Sequence, residues 1–229
     1  MVTISQKRQG ILEKISKVSA HINIKLIAVS KTFSIDNITE AFNSGQLEFA
    51  ENYVQEGLEK IQKLPKEIIW HFIGTIQSNK TKEIAENFSW VHTIDREKIA
   101  KRLNEQRPNN LPKLQVCIQI NIDNSPTKGG ILANSIHDIL PLAHFICQLP
   151  NLELRGLMAI PNMLYNNQAN IEAFQKMNIL FNELKNHLPN NNIDILCMGM
   201  SADFEEAIQY GANMVRIGSA IFGVRNYEE

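Results

Sequence analysis

Cysteine is scarce in this 229-residue chain: Cys117, Cys147 and Cys197 are far apart and odd in number. They offer neither a disulfide framework nor a metal motif. They suit buried apolar settings in a reducing compartment, so a cytoplasmic protein is expected. Long apolar runs are missing too, and nothing approaches the roughly 18 residues of a membrane-spanning helix. The opening segment, MVTISQKRQGILEKISKVSA, is an amphipathic charged stretch without a continuous apolar run, so it does not read as a signal peptide. Neither sign of charge dominates. With 23 Lys and Arg against 24 Asp and Glu, the formal net charge is -1, which argues against a nucleic-acid or membrane-surface protein. His21, His92, His137, His144 and His187 show no i, i+4 pair and no acidic partner at metal spacing, so no metal is assigned. There is no low-complexity tract and no linker.

What the chain has is 44% hydrophobic residues, enough for a full globular core. Short apolar, β-branched runs alternate with helical stretches: Lys25–Lys31, Leu47–Asn52, Ile68–Gly74, Trp90–Asp95, Leu114–Asn121, Leu152–Ile160, Ile193–Met200 and Met214–Gly218. Two intervening helices carry clear apolar stripes at a 3.6-residue period: Ile136, Ile139, Leu140, Ala143 and Ile146, then Ile171, Phe174, Met177, Phe181, Leu184 and Leu188. Ser34 and Asp95 stand where helix N-caps belong. The Asn-rich pieces YNNQAN and NNN read as surface loops. Eight strand–helix repeats predict an α/β fold, a single (β/α)8 TIM-type barrel over residues 1–229. The N-terminal helix, Val2 to about Ala20, is extra and would close the outer ring. A doubly wound open sheet is the second choice, weakened because no G-x-G-x-x-G follows the first strand.

In such a barrel, functional groups sit at the C-terminal ends of strands. Lys31 stands there on the first strand, where an apolar run rarely ends in an ammonium without a reason. CMGMSADFEEAI and MVRIGSAIFG place Ser201, Asp203, Gly218 and Ser219 after strands seven and eight, the customary phosphate side of this fold. An amine facing a phosphate pocket admits two chemistries. It is a point charge for a sugar phosphate, or a nucleophile toward an aldehyde. Pyridoxal 5'-phosphate (PLP) carries both the phosphate and the aldehyde. Its ring nitrogen needs a partner, and Arg216 points the same way if strand eight alternates; a salt bridge in the barrel wall is the other reading of Arg216. An Arg donates to an unprotonated ring nitrogen and leaves the ring a weak electron sink.

The pieces LIAVSKT, FAENYVQE, WHFIGTIQSNK, LRGLMAIP, MGMSADFEEAI and VRIGSAIFG run in order from residue 26 to residue 223. Together they closely resemble the pyridoxal-phosphate homeostasis proteins, whose fold is a barrel like the alanine racemase N-terminal domain. The resemblance implies that Lys31 carries PLP as an imine and that Ser201, Gly218 and Ser219 hold its phosphate. It also implies that Arg216 faces the pyridine nitrogen and that Asn52 and His71 line the pocket. Two departures are visible. Ala50 stands where the family has glycine, and Ser219 where it has threonine; neither removes a group that PLP needs. Lys128 in SPTKGG also resembles a family position, but a solvated loop lysine is the preferred reading.

The resemblance implies a carrier and buffer of PLP without substantial turnover, with apo PLP-dependent enzymes as candidate recipients. No nucleic acid or membrane partner is expected, and the chain is expected to be a monomer. The alternative is a racemase-like PLP enzyme. It would need an opposite-face acid, which alanine racemases take from a tyrosine of a further domain, and no such domain is expected beyond strand eight. Of Tyr53, Tyr165, Tyr210 and Tyr227, only Tyr53 is expected near the pocket. A sugar-phosphate enzyme without PLP is the third reading.

Overall fold

The computed structural model describes residues 2–19, 23–161 and 167–224, with backbone alone for 167–169. Eight strands appear: β1 Lys25–Val29, β2 Glu48–Glu51, β3 Ile69–Phe72, β4 Trp90–Ile94, β5 Leu114–Ile120, β6 Leu152–Ala159, β7 Ile195–Cys197 and β8 Met214–Ile217. All pair in parallel with their sequence neighbours, and β1 pairs β8, so the barrel closes. Each strand is a trimmed version of one apolar run. The trimmed residues at the C-terminal ends, Lys31, Asn52 and Gly74 among them, are the ones that turn into the loops.

The helices are α1 Ile4–Val18, α2 Ile35–Asn43, α3 Val54–Lys63, α4 Thr81–Asn87, α5 Glu97–Gln106, α6 Leu140–Cys147, α7 Asn167–His187, α8 Phe204–Gln209 and α9 Ser219–Phe222. α2 to α9 each follow one strand. α9 is a single turn, and α1 packs against α2, α8 and α9 where that short helix leaves the ring thin. Thr3 and Gln6 form a capping box at the start of α1.

Burial follows the sequence pattern. Phe174, Met177, Phe181 and Leu184 of α7 are buried, as are Ile136, Ile139, Ala143 and Ile146 around α6. Ser34 caps α2 by accepting the Asn37 N–H. Asp95 does not cap α5. The cap position falls one residue later, on Arg96, and the Asp95 carboxylate pairs with the Arg96 guanidinium at 2.6 Å instead. YNNQAN is not a loop throughout, because α7 already begins at Asn167. Residues 165 and 166 of it lie outside the described residues.

Period-two alternation divides each strand between two cores. Ile27, Val29, Ala50, Trp90, Cys117, Met158, Ile195, Cys197 and Met214 fill the barrel interior, and the larger core lies between the sheet and the helices. The N-terminal end of the barrel is sealed by Trp90. Lys25 Nζ and the Arg155 guanidinium lie 5.6 and 5.2 Å from its ring centroid. The opposite end stays open.

Candidate functional site: a cavity at the C-terminal end of the barrel

Inward positions on β1 are Ile27 and Val29, and the alternation carries on to Lys31. On β2 it passes from Ala50 to Asn52, and on β3 from His71 to Ile73. The cavity of about 300 Å³ at this end is lined by Val29, Lys31, Asn52, Ile73, Ile160, Met200, Ser201, Ala202, Arg216, Gly218 and Ser219. Six of the seven residues singled out in the sequence therefore share one wall or another of it.

Gly74 lets the second and third strand ends come together there. A Cβ on Gly74 would collide with the Asn52 backbone carbonyl, so a larger residue would push Asn52 out of place. On the far side, the Ser201 hydroxyl oxygen accepts the N–H of Gly218 at 3.3 Å and of Ala220 at 3.4 Å. Two backbone donors and the Ser201 and Ser219 hydroxyls thus converge on one region. Asp203 does not line it: its Oδ1 accepts the Met200 N–H, and burial raises its pKa.

Arg216 is 3% exposed. One of its terminal nitrogens donates to the Cys197 carbonyl at 3.1 Å and to Cys197 Sγ at 2.9 Å, and the other to the Ala159 carbonyl at 3.0 Å. All three acceptors are neutral, since burial raises the Cys197 thiol above its usual range. Among the described residues Arg216 forms no ion pair, so the salt-bridge reading does not hold. A buried cation held only by neutral acceptors suits an electron-rich ligand group.

His71 is not brought to the cavity. It stands two residues before Ile73, one interior layer deeper, roughly 6–7 Å along the strand. There its Nδ1 lies 2.9 Å from His92 Nε2, and its ring stacks on Trp90 at 5.4 Å. Burial first, then the neighbouring charges, lower both pKa values, that of His92 to about 3. The two rings are neutral core, with no metal-binding cluster of His, Cys, Asp or Glu among the described residues.

Tyr53 is 60% exposed and lines an adjoining cleft of about 510 Å³ with Gln55, Thr75, Gln77 and Lys80, not the cavity itself. Tyr210 ends α8, away from both. Tyr165 and Tyr227 lie outside the described residues, as does His21. Lys128 is not a free loop lysine: it is half-buried, and its Nζ donates to Asp123 at 3.1 Å and to the carbonyl of the wall residue Ile160 at 2.7 Å. Cys117 and Cys197 are buried, and Cys147 is half-buried. The sequence reading missed Ile160 and Met200 as wall residues, although both lie at the ends of its sixth and seventh runs.

Comparison with known proteins addresses the family and the fold. The family model described as alanine racemase, N-terminal domain, matches residues 7–226. The chain is 54% identical over 207 residues to the pyridoxal phosphate homeostasis protein of Haemophilus influenzae, covering 89% of this chain and 86% of that protein. It is 48% identical over 210 residues to the protein of the same name in Escherichia coli (strain K12), covering 90% and 88%. PipY of Synechococcus elongatus PCC7942, solved with PLP bound, superposes with a TM-score of 0.79 at 30% identity, covering 93% of this chain and all of that one. An alanine racemase of Clostridium difficile 630 superposes over 96% of this chain and 57% of its own, at a TM-score of 0.74 and 15% identity, and so shares the fold alone. With about half of its residues shared with the Haemophilus influenzae and Escherichia coli proteins over nine-tenths of its length, the chain belongs to the pyridoxal phosphate homeostasis protein family.

Proposed function

We propose that this protein binds PLP in the cavity at the C-terminal end of the barrel and serves PLP homeostasis by holding and releasing the cofactor. One observation carries the reading: an amine (Lys31), a buried guanidinium (Arg216) and a cluster of hydroxyl and N–H donors (Ser201, Gly218, Ser219) line a single cavity. Those three chemistries match the aldehyde, the ring nitrogen and the phosphate of PLP. The cavity volume, about 300 Å³, is at the small end of small-molecule sites.

Ser201, Ser219 and the Gly218 and Ala220 amides would hold the phosphate. Arg216 would donate to the ring nitrogen and Asn52 would border the ring. Lys31 Nζ, on the cavity wall, would be the amine that holds the aldehyde carbon. PLP supplies an aldehyde and an electron-withdrawing ring, and a ring nitrogen facing Arg216 withdraws weakly. No described tyrosine lines the cavity to act as an opposite-face acid. Lys31 is half-buried and Ser219 exposed, so the site opens to solvent, which suits exchange better than carbanion chemistry. The closed barrel supports reading residues 1–229 as one domain. The free thiols support a cytoplasmic location.

The absorbance spectrum of the purified protein tests the reading first, since a lysine imine of PLP is yellow and a sugar-phosphate enzyme is not. Lys31→Ala is expected to abolish the yellow band while leaving the fold intact. Borohydride reduction should place the pyridoxyl group on Lys31, and recovery of it on Lys128 would refute the assignment. Loaded protein mixed with an apo PLP-dependent enzyme should restore that enzyme's activity. Fast Lys31-dependent exchange of the α-proton of L- or D-alanine in deuterated water, without such recovery, would restore the racemase reading.

A further inference from the structure

Lys31 faces the cavity, and the residues beside it face the other way. Ser30 and Glu51, neighbours of Lys31 and Asn52, point outward to the space between the sheet and α3. Lys60 of α3 meets them there, 5% exposed. Its Nζ donates to the Ser30 carbonyl at 2.8 Å, to Glu51 Oε1 at 2.9 Å and to Glu56 Oε1 at 2.6 Å. An ammonium has three protons, so its donors are all used. The Ser30 hydroxyl donates to the same Glu51 oxygen at 2.6 Å. Glu56 Oε1 also accepts the Thr32 N–H at 2.5 Å.

The bonds fall on the two peptide groups that flank Lys31. Lys60 holds the carbonyl of the Ser30–Lys31 peptide, and Glu56 holds the N–H of the Lys31–Thr32 peptide. Between them the chain makes a tight turn. The Phe33 N–H returns to the Ser30 carbonyl at 3.1 Å, and Thr32 has a φ of 67°, a conformation a β-branched residue rarely adopts. Such a conformation persists only where its surroundings over-determine it. The Phe33 ring stacks on Phe222 of α9 at 4.9 Å, which ties the amine side of the cavity to the Gly218–Ser219 side. A buried ammonium–carboxylate cluster gains little stability over apolar filling of the same space. Its position behind Lys31 gives it a different use.

We propose that Lys60, acting with Glu56, is a positioning residue for Lys31: it locks the backbone on both sides of Lys31 so that the amine is presented to the cavity. The proposal deepens the PLP reading and rests on it.

Lys60→Met keeps most of the side-chain volume and removes the bonds. Three quantities are read on it: affinity for PLP, affinity for pyridoxine 5'-phosphate, which has the phosphate and ring but no aldehyde, and hydrogen exchange of the Thr32 amide in the cofactor-free protein. A displaced amine is expected to lower PLP affinity by roughly ten- to a hundred-fold. Affinity for pyridoxine 5'-phosphate should hold, and the Thr32 amide should exchange faster while those of β5 and β6 do not. Glu56→Ala, at a less buried position, should give the same pattern more weakly and serves if Lys60→Met does not fold. Equal losses for the two ligands would mean general loosening and would overturn the proposal, as would unchanged PLP affinity in both variants. A wild-type protein with no borohydride-trapped adduct would instead refute the PLP reading, and the proposal with it.

Discussion

Two polar clusters are buried on opposite sides of the same barrel wall, and they are built on opposite principles. Outside the sheet, Lys60, Glu51 and Glu56 are ionisable groups bonded to one another and to the backbone at Ser30 and Thr32. Inside it, His71 and His92 form one hydrogen bond with each other and stack with Trp90; their outer nitrogens, His71 Nε2 and His92 Nδ1, have no partner among the described residues. The first cluster fixes chain segments that meet at the cavity. The second fills volume one layer below it and fixes nothing but itself. Charge tied to backbone marks the part of the wall that must hold a shape, and neutral aromatic packing marks the part that must only be filled.

The largest expected effect is on stability. Lys60→Ala leaves two carboxylates facing each other without their cation, and losing one partner of a buried pair costs about 3–5 kcal/mol. His92→Leu removes a neutral partner and leaves His71 Nδ1 unsatisfied as its Nε2 already is, costing about 1–3 kcal/mol. Urea unfolding at pH 7 measures both. Equal losses would erase the distinction between the clusters.

Acid should separate them next. His71 and His92 have folded pKa values below the unfolded value of about 6.5. Below pH 6.5 the unfolded chain takes protons that the folded one refuses, so stability is lost as pH falls toward 3. Glu51 runs the other way. Burial, partly offset by Lys60, raises it from 4.5 to about 6. Between those values the folded state holds the extra proton, so this group adds stability on acidification, about 2 kcal/mol by pH 4.5. Glu51→Gln removes that compensation. The variant should therefore lose stability more steeply than wild type between pH 6 and 4.5, measured as urea midpoints against pH. Parallel curves would mean that Glu51 does not titrate in that window.

The same contrast explains what could be read from the sequence. The eight strands were legible because β-branched apolar runs recur at regular spacing, Lys31 because an ammonium closes an apolar run at the C-terminal end of a strand, and Arg216 because period-two alternation puts it on the inward face within strand eight. Ser34 was legible as a cap and Asp95 misleading, because one residue of slippage at a helix start moves the cap. His71, placed at the pocket by the resemblance alone, is separated from it by depth: it shares the inward face of β3, and Ile73 occupies the layer that the cavity reaches. Lys60 was not legible at all. A lysine four residues after a glutamate on an amphipathic helix reads as a solvated surface pair. Its burial comes from where α3 crosses the ends of β1 and β2, which no local pattern encodes.

The smallest expected effect turns on that ambiguity. Lys101 and Glu105 of α5 have the same four-residue spacing as Glu56 and Lys60 of α3, with Nζ and Oε1 3.8 Å apart, and both side chains are more than half exposed. Water screens that pair, and its two long side chains lose rotamer freedom in forming it. In Lys101–Glu105 the lysine also precedes the glutamate, the weaker order along a helix. Lys101→Met should change stability by no more than about 0.5 kcal/mol. It should leave Thr32 amide exchange and PLP affinity as they are. A Lys101→Met loss approaching that of Lys60→Met would mean that spacing along the helix, and not burial behind the Lys31 turn, sets the worth of such pairs in this fold. A null result there, beside a large effect at Lys60, would assign the difference to the backbone groups that Lys60 alone reaches.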